Sequence, residues 1–233
     1  MRIRSLLILC VLVIGMVIIA LPAWIHAQEK ELNSDQLALA VANAQKANQA
    51  AIAKYSWRVK TKLSSGGEEK ATSINEMRFN TDGELESTNI GGESKVEKKR
   101  GLRGRMQRSK MEDAAKYIEA VLDQAFKYIF MSKGTLVDAF DRGELNKQAG
   151  SIEYSGQNLF AKADSLRMSI DPDDNLITRL EFTTTLEEDV IRGLITMKRI
   201  EGGGPNKPVT LDIEVPVKGL KIESETYDWI EQK

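Results

Sequence analysis

The sequence predicts an α+β fold in which a large antiparallel sheet is covered on one face by a few helices. Three observations predict it. Long stretches alternate apolar and polar residues, as where Val209, Leu211, Ile213 and Val215 interleave with Thr210, Asp212 and Glu214. Such one-sided alternation marks strands with one face on a core and one in water, the habit of antiparallel sheets. The runs are joined by turn residues rather than helices, which argues against a parallel sheet. Helical periodicity is confined to one N-terminal and one mid-chain stretch.

The first helix is expected over 35–54. Asn33, Ser34 and Asp35 offer N-caps. Leu37, Val41, Ala44, Ala51 and Tyr55 recur at helical spacing in an Ala-rich stretch, and Ala both favours helix and keeps the stripe thin enough to lie close on a sheet. The period then drops to two, with Trp57, Val59, Thr61 and Leu63 opposing Arg58, Lys60 and Lys62. Ser64-Ser65-Gly66-Gly67 turns the chain into a second strand over 69–80, with Ala71, Ser73, Met77 and Phe79 on one face. Thr81-Asp82-Gly83 closes a hairpin, because Asp-Gly suits the positive φ of tight turns, and a third strand follows over 84–90. The mid-chain helix is expected over 110–130, where Met111, Ala115, Ile118, Leu122, Ala125 and Ile129 step by three and four. Phe126, Tyr128 and Phe130 widen its apolar side, and a short helix over 135–142 carries Leu136, Val137 and Phe140.

From Ser151 onward the pattern is strands. Leu166, Met168 and Ile170 alternate with Arg167, Ser169 and Asp171, and Pro172-Asp173-Asp174-Asn175 is a turn. Leu176, Thr178, Leu180, Phe182, Thr184 and Leu186 form the next apolar side, and Glu187-Glu188-Asp189 turns into a strand over 190–201. Gly202-Gly203-Gly204-Pro205 leads into the 209–217 run, where Pro216 falls on the polar side. Beyond Gly219 the phase shifts to Leu220 and Ile222, as a bulge or corner requires.

The chain has 233 residues, 42% hydrophobic and 29% charged, with a formal net charge of −1. That suits a globular protein and neither a disordered nor a polytopic membrane chain. Residues 1–27 stand apart. Arg2 and Arg4 precede an apolar run from Leu6 to Leu21, Pro22 ends it, and Ala27 suits the last position before a cleavage. This is the pattern of a secretory signal peptide. The uncharged stretch from Leu6 to Ile25 is also long enough to span a bilayer as an uncleaved N-terminal anchor. Either reading exports the remainder, 28–233, as a single α+β domain in the periplasm, membrane-anchored if 6–25 is retained.

Cys10 and His26 are the only cysteine and histidine, and both lie in that segment. The exported part therefore lacks the residues for Ser-His-Asp, Cys-His or His-based zinc chemistry. Gly202-Gly203-Gly204 lacks the Lys-Ser/Thr of a phosphate loop. Asp171, Asp173 and Asn175 have the spacing of a calcium loop, but Leu176 and Phe182 stand where Gly and Glu are required, so a hairpin turn is expected. No catalytic residue, metal site or cofactor is expected, and the protein is read as a non-enzyme.

The largest charge anomaly is 91–110, read as a mobile basic loop. Gly91, Gly92, Gly101 and Gly104 break it, and Lys95, Lys98, Lys99, Arg100, Arg103, Arg105, Arg108 and Lys110 outweigh Glu93 and Glu97. An anionic membrane surface or envelope polyanion is its expected partner, through Lys98, Lys99, Arg100, Arg103, Arg105 and Arg108. Nucleic acid is not expected, since the loop has no aromatic to stack bases. Trp57 and Trp229 are expected in the core or at its rim.

The order of an exported leader, an Ala-rich first helix, a meander opening with Trp57-Arg58-Val59, mid-chain helices and further long strands resembles the periplasmic lipoprotein-carrier (Lol-type) superfamily. The resemblance implies an unclosed, curved β-barrel whose helices lie over an apolar ligand cavity, and it assigns no residue of this chain a role. Tyr55-Ser56-Trp57-Arg58-Val59 and Arg100-Gly101-Leu102-Arg103-Gly104 also resemble a set of exported bacterial proteins without an assigned function. The expected function is an exported carrier or binding protein for an apolar or amphipathic ligand, lipid or lipoprotein related. The alternative is an envelope-attached interaction protein with a solid core and no ligand cavity. The first helix is expected to press its stripe on the sheet in both cases. Val41→Asp should then bury an unpaired charge and cost about 3–5 kcal/mol in chemical denaturation; an unchanged unfolding midpoint would make the helix a free spacer.

Overall fold

A computed structural model describes residues 34–95, 101–129, 131–148 and 150–232, with 101–109 and 148 described through their backbone alone. Residues 1–33, and with them the choice between signal peptide and anchor, lie outside the described residues. Among these no helix is long and apolar enough to cross a membrane.

The chain runs α1 (Ser34–Ile52), β1 (Tyr55–Ser65), β2 (Glu68–Phe79), β3 (Leu85–Ser94), α2 (Gly101–Ile129), α3 (Lys133–Arg142), β4 (Glu144–Gln148), β5 (Ser151–Gln157), β6 (Ser165–Ile170), β7 (Ile177–Leu186), β8 (Asp189–Arg199), β9 (Asn206–Val215) and β10 (Leu220–Glu231). The strands form one sheet in the order β3-β2-β1-β10-β9-β8-β7-β6-β5-β4. Every neighbouring pair is antiparallel. β3 and β4 are the two edges and do not meet, so the sheet is unclosed, with an N-terminal helix and a mid-chain helical insertion.

The pleat divides the sheet chemically. On one face Leu166, Met168 and Ile170 of β6, Leu180 and Phe182 of β7, Ile191 and Ile195 of β8, Ile213 and Val215 of β9, and Leu220 and Ile222 of β10 are buried. Against them lie Leu37, Ala38, Val41 and Ala42 of α1, Val121, Ala125 and Tyr128 of α2, and Leu136, Ala139 and Phe140 of α3. Tyr128 stacks on Phe182 with centroids 4.6 Å apart, and Phe140 packs on Tyr154 at 5.0 Å. Gly193 lies under the Phe182 ring, where a Cβ would sit 2.1 Å from ring atoms. The wing formed by β1–β3 is more open, and Leu85 and Ile90 of β3 are exposed.

Four features differ from the sequence expectation. The expected loop over 91–110 is strand through Ser94 and helix from Gly101; residues 96–100 lie outside the described residues. Gly101 is the first residue of α2, and Gly104 inside it costs roughly 1 kcal/mol, but Leu102, Arg103, Arg105, Met106, Gln107 and Arg108 are good helix formers and carry α2 through it. β4, a five-residue edge strand, has too few residues to show a period. The phase break after Val215 is a chain reversal: Pro216–Lys218 form a 3-10 turn, Gly219 takes φ 56°, and Leu220 pairs back with Val215.

The fourth difference is the stripe of α1. Ala44 and Ala51 are only half-buried, and Gln45 and Asn48 take the buried positions. Asn48 explains the turn of the helix. Its Nδ2 donates to the Asn206 carbonyl at 2.7 Å, and its Oδ1 accepts from the Asn206 N–H at 2.7 Å. Asn206 Nδ2 in turn donates to the Ile177 carbonyl at 2.7 Å. One side-chain amide thus pins α1 to the start of β9, and a second ties β9 to β7. Val41 is fully buried, as the stripe required. Asn48→Ala should leave two buried backbone groups of Asn206 unpaired and cost about 2–4 kcal/mol in urea denaturation; a loss below about 0.5 kcal/mol would mean that water replaces the clamp.

Candidate functional site

The helix-free face of the sheet forms a trough of about 1080 Å³ that crosses the strands from β4 to β10. Alternation puts its side chains opposite the core: Arg167 lies between buried Leu166 and Met168, and Arg192 between buried Ile191 and Gly193. Strand register then lines them up. One row runs Ser155, Arg167, Glu181, Leu194, Asp212 and Glu223. The adjacent row runs Gln157, Ser165, Thr183, Arg192, Glu214 and Lys221.

The charges in the trough are not evenly spread. Arg142, Arg167, Arg179 and Arg192 come from the α3–β8 half, with Glu144 and Glu181 among them, while Asp212, Glu214 and Glu223 come from β9 and β10, with Lys221 among them. Some are already satisfied. Arg179 pairs with Glu181 at 2.6 Å, and Lys221 with Glu223 at 2.9 Å and Glu214 at 4.0 Å. Arg142 donates to the Asp138 and Asn158 carbonyls, both at 3.3 Å. Arg167 and Arg192 have no ion-pair partner among the described residues. Partial burial raises the Asp212 carboxyl above its usual range; Lys221 opposes the rise, and Glu223 and Glu214 add to it. The Lys221 ammonium is shifted upward by its bond to Glu223.

On the opposite side, buried apolar side chains pack between helices and sheet. Gln45 Nε2 of α1 is buried without a hydrogen-bond partner among the described residues, while the polar groups around Tyr128, Tyr154 and Tyr117 are spent on structure. Tyr128 donates to Asp164 at 2.5 Å, and the N–H groups of Leu159, Phe160 and Ala161 donate to the same carboxylate at 2.7, 2.8 and 3.1 Å. Burial pushes Asp164 up, but these four donors outweigh it and hold the carboxyl below its usual range. Tyr154 donates to the Ala139 carbonyl at 2.6 Å, and burial raises its hydroxyl to about 12. Burial likewise raises Tyr117 to about 12, with Asp189 accepting its proton at 2.7 Å.

Among solved structures, the chain is similar to a DUF1329 family protein from Desulfovibrio piger at 9% identity and a TM-score of 0.36, over 80% of this chain and 92% of that one. It is also similar to a LolA superfamily protein from Nitrosomonas europaea at 8% identity and a TM-score of 0.32, over 81% of this chain and 93% of that one. No family model matches the chain, and no curated protein matches it.

The basic residues singled out in the sequence are divided by the fold. Arg103, Arg105 and Arg108 fall on the helical backbone of α2, while Lys98, Lys99 and Arg100 lie outside the described residues. Trp57 stacks on Trp229 at 4.5 Å and packs against Phe79 at 5.8 Å, with Lys207 Nζ 5.4 Å from the Trp229 ring centre. In the 171–175 turn Asp171 accepts from the Asp173 N–H at 2.9 Å, Asp174 accepts from the Leu176 N–H at 2.8 Å and pairs with Arg199, and Asn175 takes φ 59°.

Sequence reasoning passed over the trough. Arg167, Arg192 and Asp212 register in it only as the wet side of three strands, and cross-strand register is what gathers them. The Asp164 network sets a pH dependence. Its folded pKa lies below its unfolded value, so its contribution is full above the unfolded value and is lost as pH falls through the folded one. Asp164→Asn should cost about 2–3 kcal/mol at pH 7, and the gap to wild type should narrow below about pH 3.8; a constant gap down to pH 2 would remove the carboxylate from the account.

Proposed function

We propose that this protein is an exported, non-enzymatic binding protein that holds an amphipathic ligand by its charged part, in the trough on the helix-free face. The observation that carries the reading is the trough itself, about 1080 Å³ and lined by guanidinium, carboxylate and hydroxyl groups. Volumes of this order accommodate small-molecule ligands. Leu194 and the aliphatic stems of the charged side chains are its apolar surface, which favours an amphipathic ligand over a wholly apolar one. A lipid or lipoprotein-related molecule fits that description. The absence of histidine and cysteine after residue 27 supports binding rather than acid–base or nucleophilic chemistry.

The core beneath the helices favours a second reading, an envelope-attached interaction protein without a small ligand. Tyr128, Tyr154, Phe140 and the surrounding Leu and Ile side chains occupy the place where the carrier resemblance implies an apolar cavity. Native mass spectrometry and organic extraction of the purified protein separate the two. Wild type should carry a bound molecule, and a Thr183→Tyr/Leu194→Trp variant, which fills the trough from its floor, should lack it at an unchanged melting temperature. An empty wild-type protein, or a ligand retained by the filled variant, would overturn the trough reading.

A further inference from the structure

Resting on that reading, we propose that the β6–β8 part of the trough is an oxyanion site, and that the ligand presents a phosphate group to Arg167 and Arg192. Both side chains are exposed, both line the trough, and neither has an ion-pair partner among the described residues. They flank β7: Arg167 pairs in register with Glu181, and Arg192 with Thr183. With neighbouring strands about 4.8 Å apart and the two register positions two residues apart along β7, the long stems rising from β6 and β8 can reach over the strand between them.

The groups around this point are those a phosphate requires. Ser165 and Thr183 place two hydroxyls in the same cross-strand row as Arg192, and Gln157 continues the row on β5. Neither hydroxyl has a side-chain partner among the described residues. The acid between the two arginines, Glu181, is already held by Arg179, so it does not cancel them. Of the other carboxylates of the trough, Glu144 lies on the edge strand β4, and Asp212, Glu214 and Glu223 belong to β9 and β10, where Glu214 is in register with Arg192 and Lys221 engages Glu214 and Glu223. Guanidinium groups bind phosphate by paired, charge-assisted hydrogen bonds. Two on the strands either side of β7, with the Thr183 hydroxyl on β7 between them and Ser165 beside it on β6, define a place for three acceptor oxygens. The acidic strands beyond repel a second anion and accept a cationic or hydroxylated continuation of the ligand.

The phosphate has two sources of the same chemistry, a lipid headgroup and free phosphate. Calorimetry on the full chain distinguishes them with inorganic phosphate, dihexanoyl-phosphatidylglycerol below its micelle concentration, and hexyl glucoside as a phosphate-free amphiphile. Binding of the short lipid but not of the glucoside is expected. Arg167→Gln and Arg192→Gln should each weaken it about tenfold or more at an unchanged melting temperature, and Lys46→Gln on α1 should leave it unchanged. Equal affinity for inorganic phosphate would assign the site to the free anion, and tighter binding of the lipid to the headgroup. No binding of either phosphate probe, or arginine variants that bind as wild type, would overturn the inference. The trough reading fails separately: it falls if the filled Thr183→Tyr/Leu194→Trp variant keeps a co-purifying molecule, whatever the phosphate probes do.

Discussion

Register is the constraint on which the rest of this structure depends. A strand has a side-chain period of two, so a slip of one residue exchanges its faces. In β6 such a slip would turn Leu166, Met168 and Ile170 to water and drive Arg167 and Ser169 under α2 and α3. In β8 it would do the same to Ile191, Ile195 and Arg192. Burial on one face fixes the register, and the fixed register aligns charges on the other. The core is therefore the reason that Arg167, Glu181, Leu194, Asp212 and Glu223 form one row across five strands.

Three buried polar devices reinforce that register at places where apolar packing alone is indifferent to a small sliding motion. The Asn48–Asn206 pair fixes α1 along the sheet. Asp164 gathers three successive amide groups of the β5–β6 connection and the hydroxyl of Tyr128, so that the connection and α2 are located together. Tyr154 ties β5 to the carbonyl of Ala139 in α3. Each of these links a helix to the strand layer through a directional bond. Without them the helices would rest on a nearly uniform surface of Leu and Ile.

Most of the fold was legible in the sequence because it is written in local periods. The alternation of β1, β2 and β6–β9, the Asp82-Gly83 turn and the helix of α3 all follow from spacing within a few residues. What failed was of another kind. Gly101 and Gly104 suggested an interruption, and the helix-forming residues between and after them outweighed it. Ala44 and Ala51 gave α1 a plausible apolar stripe, yet its rotation is set by Asn48, whose partner lies in β9 and leaves no mark nearby in the chain. The candidate site has the same character. Each of its residues is an ordinary polar member of a strand, and the site exists only after six strands are placed side by side. The clustered basic residues of 95–110 drew attention because they are close in sequence, whereas the arginines that share a trough come from α3, β6, β7 and β8.

The sheet order joins the two ends of the domain. β1 is flanked by β2, made immediately after it, and by β10, the last strand of the chain; Tyr55 pairs with Glu231. The β1–β3 meander has local partners and can assemble early, but nothing connects it to the rest of the sheet until β10 is available. Contacts between segments so far apart in sequence carry a large loop-closure cost and form late. A chain that emerges from its N-terminus would therefore present this meander first and hold it apart, with the neighbouring edge of β1 bare, until β10 follows. The last strand acts as a latch: its arrival converts two separate sheets into one.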